Sequence, residues 1–384
     1  MPTLYEIYLC RDTGERLLLL SEYFELQYQI VQQETGFCHI VLAGDFDPAY
    51  LRPDYKIAIW RQPEGGTLAL EDVYLIRYIR RYTTAEGKRR CELVGANGNS
   101  ILVDRVSSWE GDTYCPGYAF TDQADDGMKL IVKNNASKDS AYSDPFIKTA
   151  YFGVAANTSQ GQSFKKTIKY RSLADECTAR GQTSKGRGTD ILWHVVALNE
   201  TKYEFRTYVD QIGQDRTWPD GYNPILVTEE NGMMAEPEYI WDGLEAKNTI
   251  YGLGRATTSN PEQRVVGMAY DYLLGSANKT SKYSNRSDNL DCGNESELSV
   301  IRDAALDELA SRGPAVTFTF KLQDTMTMRY GLDWRFGDKI TAFHVGQYYT
   351  CRIRGVTLRK QSQDEPEEIT VDMDIQIATE PETG

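Results

Sequence analysis

Several features by which large classes of protein are recognised are absent from this sequence. No hydrophobic run approaches the roughly 18 apolar residues that a membrane-spanning helix needs, so no membrane span is expected. The chain begins with neither a basic nor an apolar segment, and no secretory signal is expected. No His-Glu-x-x-His, Walker or Gly-x-Ser-x-Gly motif is present, and His39, His194 and His344 stand apart. We therefore expect no metal site, no cofactor and no enzymatic activity.

Closely spaced cysteines are also missing. The odd number of cysteines and the lack of a Cys-x-x-Cys motif argue against a disulfide framework and against a zinc or redox site. Most of them lie in apolar, strand-like surroundings, where a free cysteine behaves as a small core residue. We predict free thiols, most of them in the core, at the seven positions Cys10, Cys38, Cys91, Cys115, Cys177, Cys292 and Cys351.

Positive charge is the scarcer sign. The chain has 384 residues, with 42 Lys+Arg against 56 Asp+Glu, and its formal net charge is −14. A face that binds nucleic acid neutralises phosphates with clustered Lys and Arg, so this balance argues against such a face. A hydrophobic fraction of 41% is typical of globular chains. At about 100 to 200 residues per domain, the length allows two to four domains.

Strand-like segments dominate the chain, but their character changes along it. Residues 1–108 contain short, evenly spaced strands that are typical of a β-barrel or sandwich. Residues 109–235 combine polar loops with strands and a short helix, which indicates an inserted mixed α/β domain. Strands return in 236–275 and 313–384, which we assign to a second barrel, and 276–312 hold a loop and a helix that pack with the inserted domain. The predicted fold class is mainly β with minor α.

Two helices are marked by signals at their ends. Ser172 and Asp175, three residues apart, have the form of a capping box that opens a short helix. A second helix is predicted over Glu295–Arg312, because its apolar residues recur every three or four positions. Gly313-Pro314 supplies the expected stop for this second helix.

A weak internal repeat links the first and last groups of strands. Residues 53–60 and 337–343 both contain a turn with Asp, followed by Lys-Ile and further apolar residues. Each segment precedes a strand with an Ile-Arg pair, at Ile76-Arg77 and at Ile353-Arg354. A loop around Gly65-Gly66 would absorb the difference in spacing. Two explanations remain open: a chance match between strands, or a duplication that produces two related β-barrels.

Three short polar or glycine-rich motifs are ambiguous. Carboxylates cluster in Asp122–Gly127, where the alternatives are a bound hard cation such as Ca²⁺ and an ordinary turn. Gly252-Leu-Gly254 lacks the third glycine of a dinucleotide site, and a close approach of backbone explains it better. Lys185–Gly188 lacks the Walker pattern and is interpreted as a solvated loop.

A series of motifs follows in order along nearly the whole chain, although residues 114–170 fit the series poorly. The motifs are 34–42, 51–61, 95–105, 210–216, 238–254, 330–340 and 352–357. This ordered set resembles the tail hub family of long-tailed bacteriophages (siphophages), that is, the N-terminal hub region of Tal-type tail-tip proteins. It is also similar to the central baseplate hub of contractile phages.

The resemblance implies an architecture and a set of partners. Hub proteins of this class contain two similar antiparallel β-barrels plus inserted mixed α/β domains, and they form homotrimers. Such a ring adapts the sixfold symmetry of the tail tube to threefold symmetry and lets DNA pass at infection. The implied partners are the distal tail ring protein, the tape-measure protein and receptor-binding or fibre proteins, and the implied location is the virion tail tip. Longer relatives append further modules, and since this chain stops at Gly384 we expect none here.

For a protein of this kind we expect the important residues to be structural. We assign Asp54 and Gly337-Asp338 to barrel turns, where Gly permits a tight approach and Asp accepts backbone N–H bonds. Asp215 and Arg216 are predicted to form an ion pair that supports the middle domain. Two explanations of the acidic composition remain open: carboxylates that face the channel and repel the phosphates of passing DNA, or an acidic surface that only keeps the chain soluble.

Two other functions are compatible with the sequence. The chain could be the hub of a contractile injection apparatus, which has the same architecture with a spike beneath it. It could also be a carbohydrate-binding or carbohydrate-degrading β-protein, because tryptophan rings can stack on sugars. The six tryptophans that raise this alternative are Trp60, Trp109, Trp193, Trp218, Trp241 and Trp334.

Overall fold

A computed structural model describes most of the chain. The described residues are 3–44, 46–107, 118–137, 150–168, 171–257, 260–270, 286–313, 315–322, 328–362 and 365–376. They form a mainly β protein with few helices, so the predicted fold class is confirmed. Within these ranges no helix combines the length and the hydrophobicity that crossing a membrane would require.

The first group of strands, which we call repeat 1, is antiparallel. Its strands are β1 (Leu4–Cys10), β2 (Arg16–Leu19), β3 (Tyr23–Val31), β4 (Phe37–Ala43), β5 (Lys56–Gln62), β6 (Ala69–Thr83) and β7 (Arg89–Ala96). They lie side by side in the order β3-β4-β7-β6-β5-β1-β2. Buried residues alternate with more exposed ones along β4 and most of β7, because successive side chains of a strand point to opposite faces.

A mixed α/β insertion follows repeat 1. Its elements are α1 (Ser100–Val103), β8 (Tyr118–Gln123), α2 (Ala124–Ala136), β9 (Phe152–Val154), β10 (Ser163–Ile168), α3 (Leu173–Gly186), β11 (Ile191–Ala197) and β12 (Tyr203–Val209). Its apolar core includes Trp193 and Phe205, and it continues onto Ala58 and Val73 of repeat 1. The insertion is therefore packed against one face of β5 and β6.

The rest of the chain contains a second group of strands and a second insertion. In chain order the elements are β13 (Asp215–Arg216), β14 (Leu226–Val227), β15 (Met234–Asp242), β16 (Thr249–Thr257), β17 (Asn260–Tyr270), β18 (Ser287–Asp291), α4 (Leu298–Ser311), β19 (Ala315–Leu322), β20 (Lys339–His344), β21 (Gln347–Lys360) and β22 (Glu368–Gln376). Strands β16, β17 and β18 form a separate sheet on which α4 packs. We call the others repeat 2.

The two repeats have the same strand order. In repeat 1 the strands follow one another along the chain as β3, β4, β5, β6 and β7, and their order in the sheet is β3-β4-β7-β6-β5. In repeat 2 they follow one another as β15, β19, β20, β21 and β22, and the corresponding order is β15-β19-β22-β21-β20. The second insertion therefore lies between the strands that correspond to β3 and β4.

The register of the strands is repeated as well. Lys56 pairs with Leu75, and its counterpart Lys339 pairs with Arg352. The next pairing is interrupted by a β-bulge at the same place in both repeats, between Ile76 and Tyr78 and between Ile353 and Gly355. The extra residues are Arg77 and Arg354, the arginines of the two Ile-Arg pairs. The repeat in the sequence thus corresponds to a repeat in the structure.

The two repeats are joined into one sheet of 14 strands. Gly355–Lys360 of β21 pair antiparallel with Leu26–Val31 of β3. One apolar core runs through both repeats and includes Tyr28, Ile57 and Phe320. Closure of each repeat into a barrel remains a prediction.

The predicted boundaries differ from the observed organisation in three places. Residues 236–275 were assigned to the second barrel, but only the segment up to Asp242 joins the large sheet, since β16 and β17 pair with each other and with β18. Conversely, β13 and β14 lie within the predicted insertion 109–235 and pair with β20 of repeat 2. The helix predicted from Glu295 begins at Leu298, and it contacts α3 of the first insertion. Pro314 and the chain from 377 onwards lie outside the described residues.

Candidate functional site

Two equivalent turns, one in each repeat, hold the predicted turn residues. Asp54 has φ +67° and Gly337 has φ +84°, which is the left-handed region that favours Gly, Asn and Asp. The Asp54 N–H donates to the Ile76 carbonyl at 3.0 Å, and the Gly337 N–H donates to the Ile353 carbonyl at 3.1 Å. These matched bonds tie the start of β5 to β6 and the start of β20 to β21.

The Asp338 carboxylate accepts three hydrogen bonds. It receives the backbone N–H of Gln214 at 2.7 Å and the backbone N–H of Arg335 at 2.9 Å. The Arg216 guanidinium donates to it at 2.9 Å, and both side chains are buried. Asp338 therefore fastens the segment before β13 to the turn before β20, beside a cavity of about 860 Å³.

The predicted ion pair between Asp215 and Arg216 does not form. Consecutive residues of a strand point to opposite faces, and here Asp215 is exposed while Arg216 is buried. Asp215 instead accepts hydrogen bonds from the backbone N–H and the hydroxyl of Thr217, at 3.0 and 2.7 Å. The partner of Arg216 is Asp338, which is distant in the sequence.

Asp54 lies in a very different environment. Its carboxylate is exposed and pairs with Arg77, which also donates to Asp104 at 3.1 Å. An exposed pair of this kind contributes little to stability. The two predicted turns therefore share their backbone geometry but differ in the polar contacts that stabilise them.

A buried ion pair holds the loop before β22 against repeat 1. The Arg61 guanidinium donates to the Glu367 carboxylate at 3.1 Å and to the Tyr330 carbonyl at 3.0 Å. Glu367 also accepts a hydrogen bond from the Tyr5 hydroxyl at 2.5 Å. Burial, reinforced by the negative charge of Glu367, raises the pKa of Tyr5 well above its ordinary value, so this hydroxyl remains a donor.

A second buried arginine joins repeat 2 to the first insertion. Arg352 donates to the Asp190 carboxylate at 3.0 Å and to the Asp210 carbonyl at 2.6 Å. Its other nitrogen donates to Asp374 at 2.5 Å. No local pattern marks the partners of Arg61 and Arg352, because Glu367 and Asp190 are far from them along the chain. Arg61 and Arg352 themselves lie in two of the motifs of the ordered series, 51–61 and 352–357.

The Ala-Asn-Gly-Asn motif at the end of β7 connects repeat 1 to the first insertion. Gly36 and Asn97 exchange two hydrogen bonds of 3.0 Å. Asn99 accepts the Val195 N–H at 2.8 Å and donates to the Val31 carbonyl at 3.0 Å. A side chain at Gly98 would collide with Val195 at 2.7 Å, so the glycine permits this close contact.

The predicted carboxylate cluster forms the start of a helix. Asp125 and Asp126 lie in the first turn of α2, where carboxylates interact favourably with the helix dipole. Asp125 accepts the Gln160 N–H at 2.7 Å and pairs with Lys129 at 3.3 Å. In the ranges that the structure describes, no cluster of ligating residues could hold a metal ion.

The other ambiguous motifs have structural explanations. A Cβ added at Gly252 or Gly254 would lie within 2.8 Å of the Ile301 side chain, so these glycines allow α4 to approach the sheet. Arg187, from the Lys185–Gly188 segment, forms an ion pair with Asp303 of α4. This segment is therefore a contact between the two insertions.

The cysteines and histidines behave as residues of the fold. Six cysteines are described as free, and all of these except Cys292 are buried, as predicted; Cys115 lies outside the described residues. His39 pairs with Glu92 at 3.1 Å and His344 with Glu229 at 3.3 Å. Burial lowers the pKa of His194 to about 4, so this ring stays neutral near pH 7.

Two of the five described tryptophans are exposed. Trp193 and Trp334 are in the core, whereas Trp218 and Trp241 are 48% and 55% exposed. Trp218 stacks on Tyr348 with 5.9 Å between the ring centres. Trp241 lies on β15 at the edge of the large sheet, and Trp109 is outside the described residues.

Comparison with solved structures identifies the fold. No protein-family model matches the chain, and no curated protein matches its sequence. A tail protein from Neisseria meningitidis MC58 is similar over 98% of this chain and 97% of its own, with a TM-score of 0.55 and 12% identity. A tail protein of prophage MuSo2 from Shewanella oneidensis is similar over 96% of this chain and 98% of its own, with a TM-score of 0.55 and 10% identity.

A chain from a complex of two bacterial proteins has the same fold. A chain of the Francisella PdpA-VgrG complex is similar over 97% of this chain and 57% of its own, with a TM-score of 0.51 and 11% identity. At these identities the similarity establishes the fold and nothing finer. The resemblance to tail hub proteins is thereby confirmed at the level of the fold: this chain has the fold of phage tail proteins.

Proposed function

We propose that this protein is a structural component of a phage tail, in which three copies form the hub ring at the tail tip. The duplication carries the proposal, because a chain with two matched repeats contributes two similar units to a ring. Three copies then present six similar units to a sixfold tail tube and a threefold face to the tip. The fold shared with phage tail proteins supports the same assignment.

The proposed ring requires contacts that close around an axis. In a cyclic trimer, one surface of each copy meets a different surface of the next copy. The pairing of β21 with β3 already joins two units within a chain. A ring of six units repeats a junction of this kind between chains.

Passage of DNA through this ring is part of the proposal. A channel for DNA should not bind phosphates, and the net charge of −14 is compatible with a lining that repels them. The charge on the lining of the assembled ring is the test. A lining dominated by Lys and Arg would remove the repulsion hypothesis but would leave the ring itself intact.

The proposed partners follow from the position at the tail tip. They are the distal tail ring protein above, the tape-measure protein inside, and receptor-binding or fibre proteins beside or below. In this role the surfaces of the protein act and no catalytic side chain is needed. Asp54, Gly337 and Asp338 are assigned to maintaining the geometry of the two repeats.

Deletion of the gene from the phage or prophage that carries it tests the proposal. We expect particles that lack complete tails by electron microscopy, with tails and infectivity restored by the gene in trans. Fully infectious particles without the protein would overturn the assignment. Native mass spectrometry of the purified protein at high concentration tests the trimer separately.

The second candidate is the hub of a contractile injection apparatus. The fold shared with a chain of the Francisella PdpA-VgrG complex favours it. Electron microscopy of the particles distinguishes the two, because only the contractile apparatus has a sheath around its tube. Both candidates require the same ring of repeats.

A further inference from the structure

Each repeat has one strand of the β3 type and one of the β21 type, but only one strand of each type takes part in the contact that joins the repeats within one chain. Repeat 2 contributes β21 to it and repeat 1 contributes β3. The equivalent of β21 in repeat 1 is β6, and the equivalent of β3 in repeat 2 is β15. As far as the chain is described, Tyr78–Thr83 of β6 pair with β7 alone, and β15 pairs with β19 alone. One molecule therefore has both halves of a second such contact.

We propose that β6 of one copy pairs antiparallel with β15 of the next copy, repeating between chains the pairing of β21 with β3. This interface rests on the proposed ring and names its subunit contact. Each copy donates one β6 and one β15, so the contact is heterologous and can close around an axis. A second copy of this chain is the partner that fits, because the matching half is present on the same molecule.

The repeated register fixes how the two strands would align. Tyr28 corresponds to Tyr239, because Tyr28 pairs with Cys38, Tyr239 pairs with Phe318, and Cys38 and Phe318 pair with the equivalent residues Gly95 and Met373. The bulge at Arg77 and Arg354 aligns β6 with β21, so Thr357 corresponds to Arg80. Thr357 pairs with Gln29, which is the residue after Tyr28. The aligned partner of Arg80 is therefore Ile240, the residue after Tyr239.

The charges of the two strands are complementary in this alignment. Arg80, opposite Ile240, would have Glu238 and Asp242 as its diagonal neighbours on the same face. Within the chain, the equivalent contact contains the ion pair of Arg359 with Glu25 at 3.1 Å. Near the bulge, Arg354 pairs with Glu34. Between chains, the residues that correspond to Arg354 and Glu34 are Arg77 and the exposed Glu245.

The exposed apolar surface of both strands is also explained. Tyr78 is 48% exposed, Ile240 is 45% exposed and Trp241 is 55% exposed. Exposed edge strands with apolar side chains invite pairing with another chain, and proteins usually blunt or cover them. Pairing of β6 with β15 covers these side chains and saturates the free backbone groups.

A cysteine cross-link tests the alignment. Arg80→Cys and Ile240→Cys are combined in one chain, and the protein is oxidised at high concentration. We expect a ladder of disulfide-linked dimers and trimers, because directly opposed Cβ atoms lie about 4.5–5.5 Å apart. The matched control combines Arg80→Cys with Val266→Cys, since Val266 is a comparably exposed strand residue outside the interface. A ladder no stronger than that of the control would overturn the pairing.

Charge reversal tests the same interface without cysteine. Arg80→Glu, or Glu238→Lys with Asp242→Lys, should each weaken assembly by about tenfold or more. Both reversals in one chain should restore it. Restored assembly of the combined variant, together with the cross-link in the cysteine variant, supports the interface. Failure of the combined variant to assemble argues against it. If the cysteine variant forms a trimer but no cross-linked ladder, only this interface is overturned. If the unmodified protein forms no trimer, the proposed ring is overturned.

Discussion

Repeat 1 and repeat 2 have the same order of five strands but differ in the strands that lie beside them. In repeat 1 the strand beside β5 is the antiparallel β1, whereas in repeat 2 the short strands β13 and β14 run parallel to β20. Repeat 1 is continuous in the chain, and repeat 2 accommodates an insertion between β15 and β19. The strand order, the register and the bulge are the same in both. Backbone pairing therefore defines the repeat, and side chains adapt each copy to its neighbours.

The largest expected difference in stability between the repeats lies at the turns before β5 and β20. Asp338→Ala removes the buried partner of Arg216 and leaves two backbone N–H groups unpaired, so we expect a loss of about 3–5 kcal/mol in the free energy of unfolding. The control Asp54→Asn, at the exposed turn, removes the charge but tolerates the left-handed backbone, so it should cost less than about 1 kcal/mol. Urea denaturation followed by circular dichroism measures both. Equal costs would show that the turns are stabilised in the same way.

The next largest effect on stability is expected at Gly337, in the turn before β20. Gly337→Ala places a Cβ 2.6 Å from the Cβ of Ile212 at a φ of +84°, and we expect a loss of about 2 kcal/mol. At the equivalent position, Asp54→Gly should be close to neutral because glycine accepts this conformation. The same unfolding measurement applies. A neutral Gly337→Ala would contradict the close approach of Ile212 to Gly337.

A buried carboxyl group gives repeat 1 a pH dependence of its own. Burial raises the pKa of Asp72 to about 7, while its counterpart in repeat 2 is Tyr349. The folded protein therefore binds this proton more tightly than the unfolded chain does. The stability it contributes is complete below about pH 4 and is lost as the pH rises to about 7.

Asp72→Asn removes this dependence. Relative to the variant, the wild type should lose about 2 kcal/mol of unfolding free energy between pH 5 and pH 8. Denaturation of both proteins at the two pH values measures it. Parallel pH profiles would show that Asp72 titrates normally in the fold.

The smallest effect is expected at the hairpin between β20 and β21. Val345 has φ +49° although β-branched residues rarely adopt this conformation, and it is 80% exposed. Val345→Asn should therefore raise the free energy of unfolding by up to about 1 kcal/mol. The corresponding hairpin of repeat 1 has a glycine, Gly65, at φ +79°. A destabilised Val345→Asn would indicate that the valine makes a contact of its own.

The repeat was visible in the sequence because local patterns encode it. Lys-Ile after an Asp turn and the Ile-Arg pair mark the register and the bulge, and they survive in both copies. The assignment of β16 and β17 failed for the opposite reason. Their alternation predicts strands correctly, but the sheet that they join depends on how Gly252 and Gly254 fit Ile301 of α4.

The polar contacts were harder to predict. Asp338 was assigned to its turn, but proximity in the sequence suggested Asp215 as the partner of Arg216, and strand alternation separates those two side chains. The pair of Arg61 with Glu367 joins residues from opposite ends of the chain. Partners of this kind follow from tertiary packing and have no local signal.

The proposed function depends on two matched repeats that act as two units of one ring. A cryo-electron microscopy map of the assembled tail tip, at a resolution that traces strands, tests this most directly. We expect three copies with six repeats around a common channel and β6 of each copy beside β15 of the next. A different number of copies, or repeats that do not surround one channel, would contradict it.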